Sequence, residues 1–425
     1  MAARWLRLLV LAPALALGAA GQMSAIHPAG LPPQQPDPVT WQSLPHGGLN
    51  GLVTALAAAG NNLYVGGFFT ETADGQVQNL NGIALLSGGQ WVALPHHGLN
   101  APVAALAVLG SDVYAGGYFT ETADGALTNL NYVARLSSDG WHPLEDNGLN
   151  SDVTALAAHG SDLYVGGFFD QSAGGAVKDL NLIAKYSGGH WVALPNKGLY
   201  TFFVLHAFWV NAIAFNGNDM VVSGGITATE DLTVQNMIGI AKLSGGTTWS
   251  ALPDVGLARI FPPRIPTSLA YVGNDLYAAG TFTSTTDGAV PNLNGIARLS
   301  NGVWSPLPHD GFRRDPNTGD AYVVAARGAD LYVGGPFTQT ADGLVQNLNS
   351  IAEFSGGAWQ ALPEHGLRPA EGYGVDAITF AGNNLYAGGA FTETADGTVQ
   401  NLGNIAVLAV PPLASYSLYL PLVSR

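Results

Sequence analysis

The residues best suited to chemistry in this 425-residue chain are unevenly spread. Arg259, Arg264, Arg313, Arg314 and Arg368, with Asp315 beside the middle pair and Tyr373 after the last, fall in three short stretches. A fourth stretch holds Phe202, Phe203, His206, Phe208 and Trp209. Aromatic faces offer flat apolar platforms, and guanidinium forks take carboxylates in pairs of hydrogen bonds, so the pattern fits a carbohydrate, an acidic ligand or a protein surface. Asp315, Asp320, Glu364 and Glu371 would instead serve a glycoside hydrolase or lyase if two of them stood roughly 5–9.5 Å apart. No nucleophile elbow, phosphate loop or His-Glu-x-x-His zinc motif is present. With no cysteine, disulfides, thiolate metal sites and cysteine nucleophiles are excluded. A formal net charge of −15 argues against nucleic acid, whose phosphates need clustered Lys and Arg.

The elements that must position these residues follow from self-similarity. Tryptophans stand at Trp41, Trp91, Trp141, Trp191, Trp249, Trp304 and Trp359, spaced by 50, 50, 50, 58, 55 and 55 residues. Between them recurs a Leu-Tyr-Val-Gly-Gly element, as at Leu63–Gly67 and Leu331–Gly335, and an Ile-Ala or Val-Ala pair, as at Ile83 and Val133. One unit reads as four short strands: Val53–Ala58 (a), Leu63–Phe69 (b), Ile83–Leu86 (c) and Gln90–Leu94 (d), each bounded by Gly, Asn, Asp or Ser turns. Four antiparallel strands repeated at about 50 residues predict an all-β, seven-bladed β-propeller. The seventh unit lacks its Trp strand, while Trp41–Pro45 precedes the first unit alone, so the N-terminal strand must close the last blade.

These motifs carry a resemblance. Leu-Tyr-Val-Gly-Gly followed downstream by Trp looks like the blade of kelch-like propellers, and the Leu-Tyr-Val-Gly-Gly-x-Phe-Thr form is similar to repeats of bacterial secreted proteins and fungal cortical marker proteins. The resemblance covers nearly all of residues 41–409 and implies fold far more than function.

In such a blade the a–b and c–d turns share one face, and the b–c and d–a connections share the other. The step from Leu49 to Val53 is 4 positions, whereas Leu199 to Val210 is 11, Leu257 to Pro266 is 9, Phe312 to Ala321 is 9 and Leu367 to Val375 is 8. The chemistry-bearing stretches are therefore insertions on one face of blades four to seven, as expected of a site grafted on a symmetric scaffold. The regularly placed Trp residues read as packing between blades. Repeated Asp-Gly loops such as Thr70–Asn81 admit a calcium reading, but the Asp-x-Asp-x-Asp-Gly ligand spacing is absent, and an Asp-Gly turn with the Asn79 side chain on loop backbone groups explains them; no cofactor and no metal are expected. His46, His96, His97, His309 and His365 read as solvated turn residues.

The ends complete the reading. Arg4 and Arg7, the apolar stretch Leu8–Ala20 and small residues around Ala20 predict a signal peptide over 1–20. A Pro-rich linker over 21–40, the propeller over 41–409 and a tail over 410–425 follow. The expectation is a secreted or cell-surface, noncatalytic, monomeric binding module for a glycan or protein, with no membrane span after cleavage. A propeller hydrolase or lyase and a cell-surface structural protein are the alternatives.

Overall fold

The computed structural model describes residues 39–202, 209–257, 265–314, 317–370 and 373–412. The signal-peptide, linker and tail expectations fall almost wholly outside these residues. Seven four-stranded sheets form the molecule, each ordered a-b-c-d with neighbours antiparallel. Strands a are Val53–Ala59, Val103–Leu109, Val153–His159, Val210–Asn216, Pro266–Val272, Val323–Arg327 and Val375–Ala381. All seven border one narrow cavity of about 240 Å³, the central channel.

The closing blade is built from both ends of the ring. Trp41–Ser43 pairs with Ile405–Ala409 in the register Trp41–Leu408, Gln42–Val407 and Ser43–Ala406. The Trp41 N–H donates to Glu364 Oε2 of the preceding blade at 3.1 Å, and Ser43 Oγ donates to the Asn401 carbonyl at 2.6 Å. The closure expected from the odd strand count is thus made by the hydrogen-bond ladder of a normal blade, with no disulfide needed.

The core lies between blades. The seven strand-d tryptophans are all buried, and six turn Nε1–H onto a carbonyl of the preceding blade, for example Trp91 to Pro45 at 2.9 Å and Trp359 to Pro308 at 3.0 Å. An indole thereby buries its large apolar area while satisfying its one donor. The glycine pairs serve the same packing: a Cβ at Gly66 would lie 2.8 Å from Val103 Cγ1 of the next blade.

One irregularity recurs. In six blades the a–b ladder slips by one residue at the start of strand a, leaving Thr54, Ala104, Thr154, Asn211, Thr267 and Asp376 as bulged residues. A bulge re-aims the side chain it carries. Three of these threonines donate across to the next blade: Thr54 to Val103 O at 2.8 Å, Thr154 to Val210 O at 2.7 Å and Thr267 to Tyr322 O at 2.9 Å.

Candidate ligand-binding face

Each d–a connection opens with a tight turn whose central residue takes a left-handed backbone, with φ 59° at His46, 57° at His96 and 57° at Asn196. Asn, Asp and His tolerate that region best, which accounts for the residue types there. For His46, His96 and His309 the expectation of a merely solvated turn residue is corrected. His46 Nδ1 pairs with Asp74 Oδ2 at 2.9 Å, His96 with Asp124 at 2.9 Å and His309 with Asp342 at 2.8 Å, each reaching the Asp-Gly loop of the next blade. The other oxygen, Asp74 Oδ1, accepts from Thr72 Oγ1 at 2.8 Å and from the Gln76 N–H at 3.0 Å. The backbone N–H of Ala126, then His96, hold the Asp124 carboxyl down at about 2.

Protein donors therefore already claim both oxygens of these loop aspartates. Among the described residues no group of three His, Cys, Asp or Glu converges as a metal site would. The Asn79 position also differs from expectation. Its contribution is conformational, with φ 63°, while the Asn50 side chain of the d–a turn caps the Thr70 N–H at 3.0 Å and Asn81 Nδ2 donates to His97 O at 2.7 Å.

On this loop-rich face the residue after the glycine pair leaves strand b, and in blades one and three it turns into solvent. Its successor, Phe69, Phe119 or Phe169, is buried in the core, but Phe68 and Phe168 are 51% and 53% exposed. Phe68 stands 6.3 Å from Tyr118 of the next blade, and Phe168 meets Trp209 edge-on at 6.4 Å. A groove of about 400 Å³ between blades one and two is lined by Phe68, Asn100 and Pro102. The aromatic arc Phe68, Tyr118, Phe168 and Trp209 thus runs over blades one to four. Of these four, sequence reasoning singled out Trp209 alone. The signal for the rest was the period-two alternation of Gly67-Phe68-Phe69, which sends two adjacent phenylalanines to opposite sides.

Three of the four insertions form small accessory sheets. Leu199–Tyr200 pairs with Ala228–Thr229, Phe312–Arg314 with Gln339–Thr340, and Leu367–Pro369 with Phe391–Thr394. Phe202, 59% exposed, packs edge-on against Tyr200 at 4.9 Å. Arg313 and Arg314 are half-buried on the second sheet, and Tyr373 is exposed. Arg368 is engaged by Glu393 and by the Ala395 carbonyl, so it fastens its insertion to the neighbouring loop. Phe203, His206, Phe208, Arg259, Arg264, Asp315 and Glu371 lie outside the described residues.

The two described candidate carboxylates for hydrolysis sit at opposite edges of the blade layer. Glu364 accepts from Trp41, in the outermost strand of the last blade. Asp320 lies just ahead of the innermost strand of blade six, near Tyr322, whose phenol burial pushes up to about 12 with help from the Asp320 and Asp376 charges.

No protein-family model matches the chain. Polarized growth protein L1 of Phoma sp. (strain ATCC 20986 / MF5453) is 38% identical over 98 residues, which is 23% of this chain and 7% of that protein, so the chain spans a small fraction of this relative. Solved structures similar to the chain include YCF48 bound to D1 peptide, at 11% identity and a TM-score of 0.47 over 89% of this chain and 97% of that one. The WD40 β-propeller domain of Doa1 has 10% identity and a TM-score of 0.47 over 87% and 96%. The Niastella koreensis GH74 enzyme has 14% identity and a TM-score of 0.44 over 81% and 52%.

Proposed function

We propose that this propeller is an exported, kelch-like binding module that holds a glycan or protein ligand on its loop-rich face. The observation that carries the reading is the aromatic arc, whose Phe68 and Phe168 rings are exposed and whose Tyr118 and Trp209 rings are half-buried. Large rings left in water on one face of a ring whose other phenylalanines are mostly buried mark an interaction surface. The insertions of blades four to seven border the same face, with Phe202, Arg314 and Tyr373 facing outward or half-covered. Placement of Glu364 in the closing clasp favours binding over a two-carboxylate hydrolase. Export rests on the basic, apolar and small-residue order of residues 1–20. No helix among the described residues is long and apolar enough to cross a membrane.

The test is a glycan-array and protein pull-down screen of the purified chain, repeated with Phe68→Ala/Phe168→Ala and with Trp209→Ala/Arg314→Ala. The exposed Phe68 and Phe168 substitutions should leave the melting temperature within a degree or two, the half-buried Trp209 and Arg314 pair should lower it further, and binding should weaken roughly tenfold or more in each. Ligand binding unchanged in both double variants would remove this face from consideration.

A further inference from the structure

The central channel is nearly symmetric in backbone but not in charge. Its lining combines the bulged residues Thr54, Ala104, Thr154, Asn211, Thr267 and Asp376 with an aliphatic collar one step deeper, Leu56, Leu106, Leu156, Ile213, Leu269 and Ile378. Asp376 is the sole charged side chain in that lining. Where Thr54, Thr154 and Thr267 each donate a hydroxyl hydrogen to the next blade, Asp376 at the seam of blades seven and one has no hydroxyl to offer when ionised. Its Oδ2 is shielded from solvent and has no hydrogen-bond partner, and no described Lys, Arg or His forms an ion pair with it. Burial lifts its carboxyl to about 7. An unpaired carboxylate in such a place is costly unless it takes a proton or meets a cation.

Resting on the reading of the loop-rich face as the binding face, we infer that the channel mouth is a socket for a lysine or arginine side chain of a protein ligand, with Asp376 as its counter-ion. Strand a enters the blade from the loop-rich face, so its bulged residue stands at that mouth. A cavity of about 240 Å³ has room for an ammonium or guanidinium head, and the leucine–isoleucine collar lines it with apolar side chains below the carboxylate. Tyr322, next to the lining residue Val323, lies close enough to feel the charges of both Asp376 and Arg314. The carboxylate is recessed, so a cation on a flexible stem reaches it, whereas an amine fixed directly to a sugar ring does not. The chain's net charge of −15 draws a basic partner toward the face.

Titration calorimetry at pH 8 with the full chain tests the socket, using acetyl-lysine amide and acetyl-arginine amide, neutral acetyl-norleucine amide, and glucosamine as the amino-sugar arm. The expected result is saturable binding of a cationic amide at least tenfold tighter than norleucine amide and glucosamine, and at least tenfold weaker in Asp376→Asn. Asp376→Thr installs the residue that blades one, three and five carry there, which keeps the fold while removing the charge, and it should lose binding equally. Asp320→Asn should keep it. Equal affinity for cationic and neutral amides, or full affinity in both Asp376 variants, would overturn the socket, leaving Asp376 as a protonated bridge between blades. Preferred binding of glucosamine would overturn the protein-ligand assignment. A glycan or protein captured through Phe68 and Phe168, with no cationic amide bound, would leave the binding face standing and remove the socket alone.

Discussion

Blades one to three and blades four to seven use the same four strands but dress the loop-rich face differently. In the first group the d–a connection is short, and Asn50, Asn100 and Asn150 cap the following b–c loop through Thr70, Thr120 and Asp170 N–H groups at 3.0–3.1 Å. The residue after the glycine pair is a ring there, exposed at Phe68 and Phe168 and half-buried at Tyr118. In the second group the connection is longer and, in blades four, six and seven, pairs as an accessory strand with the b–c loop. The residue in the place of Phe68 there is small or cyclic: Gly225, Thr281, Pro336 or Ala390. Irregular length marks the wall of the face, while the regular half carries its aromatic floor.

The comparison breaks or sharpens under substitution. If the scaffold is one symmetric ring beneath two dressings, Trp91→Ala in the regular half and Trp304→Ala in the irregular half should each cost about 3–5 kcal/mol, measured as a fall in the urea midpoint. A cost confined to one half would mean that the insertions, not the indoles, hold that half together.

A smaller effect isolates the seam between the halves. The folded carboxyl of Asp376 titrates near 7, above its ordinary unfolded value of roughly 3.9. Its contribution to stability is therefore present at low pH and lost as pH rises toward and through 7. Facing groups do not confuse the window: Tyr322 titrates near 12, and Thr54, Ala55 and Leu56 of blade one are neutral. From pH 5 to pH 8 the native chain should lose about 2–3 kcal/mol relative to Asp376→Thr in parallel denaturations. Parallel pH profiles for the two proteins would show that the carboxylate is stabilised by something other than its proton.

The smallest effect concerns the caps. Asn100→Ala frees the Thr120 N–H in a regular blade and should cost about 1 kcal/mol. Shortening the 367–375 connection to a four-position step bearing Asn should recover a similar amount, read by the same denaturation. Failure to recover it would tie the accessory strand to fold rather than to function.

Much of this was legible in order of residues. Seven recurring tryptophans and seven glycine elements led to seven blades, and the unmatched Trp41 strand led to the closure. The insertions were also found by counting, but their roles were not. Phe312, inside one of them, is fully buried and stacked on Phe337 at 4.0 Å, and Arg368 is consumed by Glu393. Glu364 looked like a candidate acid and proves to accept a hydrogen bond from Trp41, 323 positions away.

Sequence by itself determined the architecture of this protein, because each blade is a local unit: its strands, turns and packing residues lie within about 50 positions and recur, so periodicity reports them directly. Only the tertiary structure decided what the face and the channel present. Whether Phe68 or Phe69 meets water depends on which side of strand b the neighbouring blade occupies. Whether Asp376 is one more polar residue or an unpaired buried carboxylate depends on seven strands converging on one axis. Those environments are made by chain segments far apart in order, and no spacing along the chain records them.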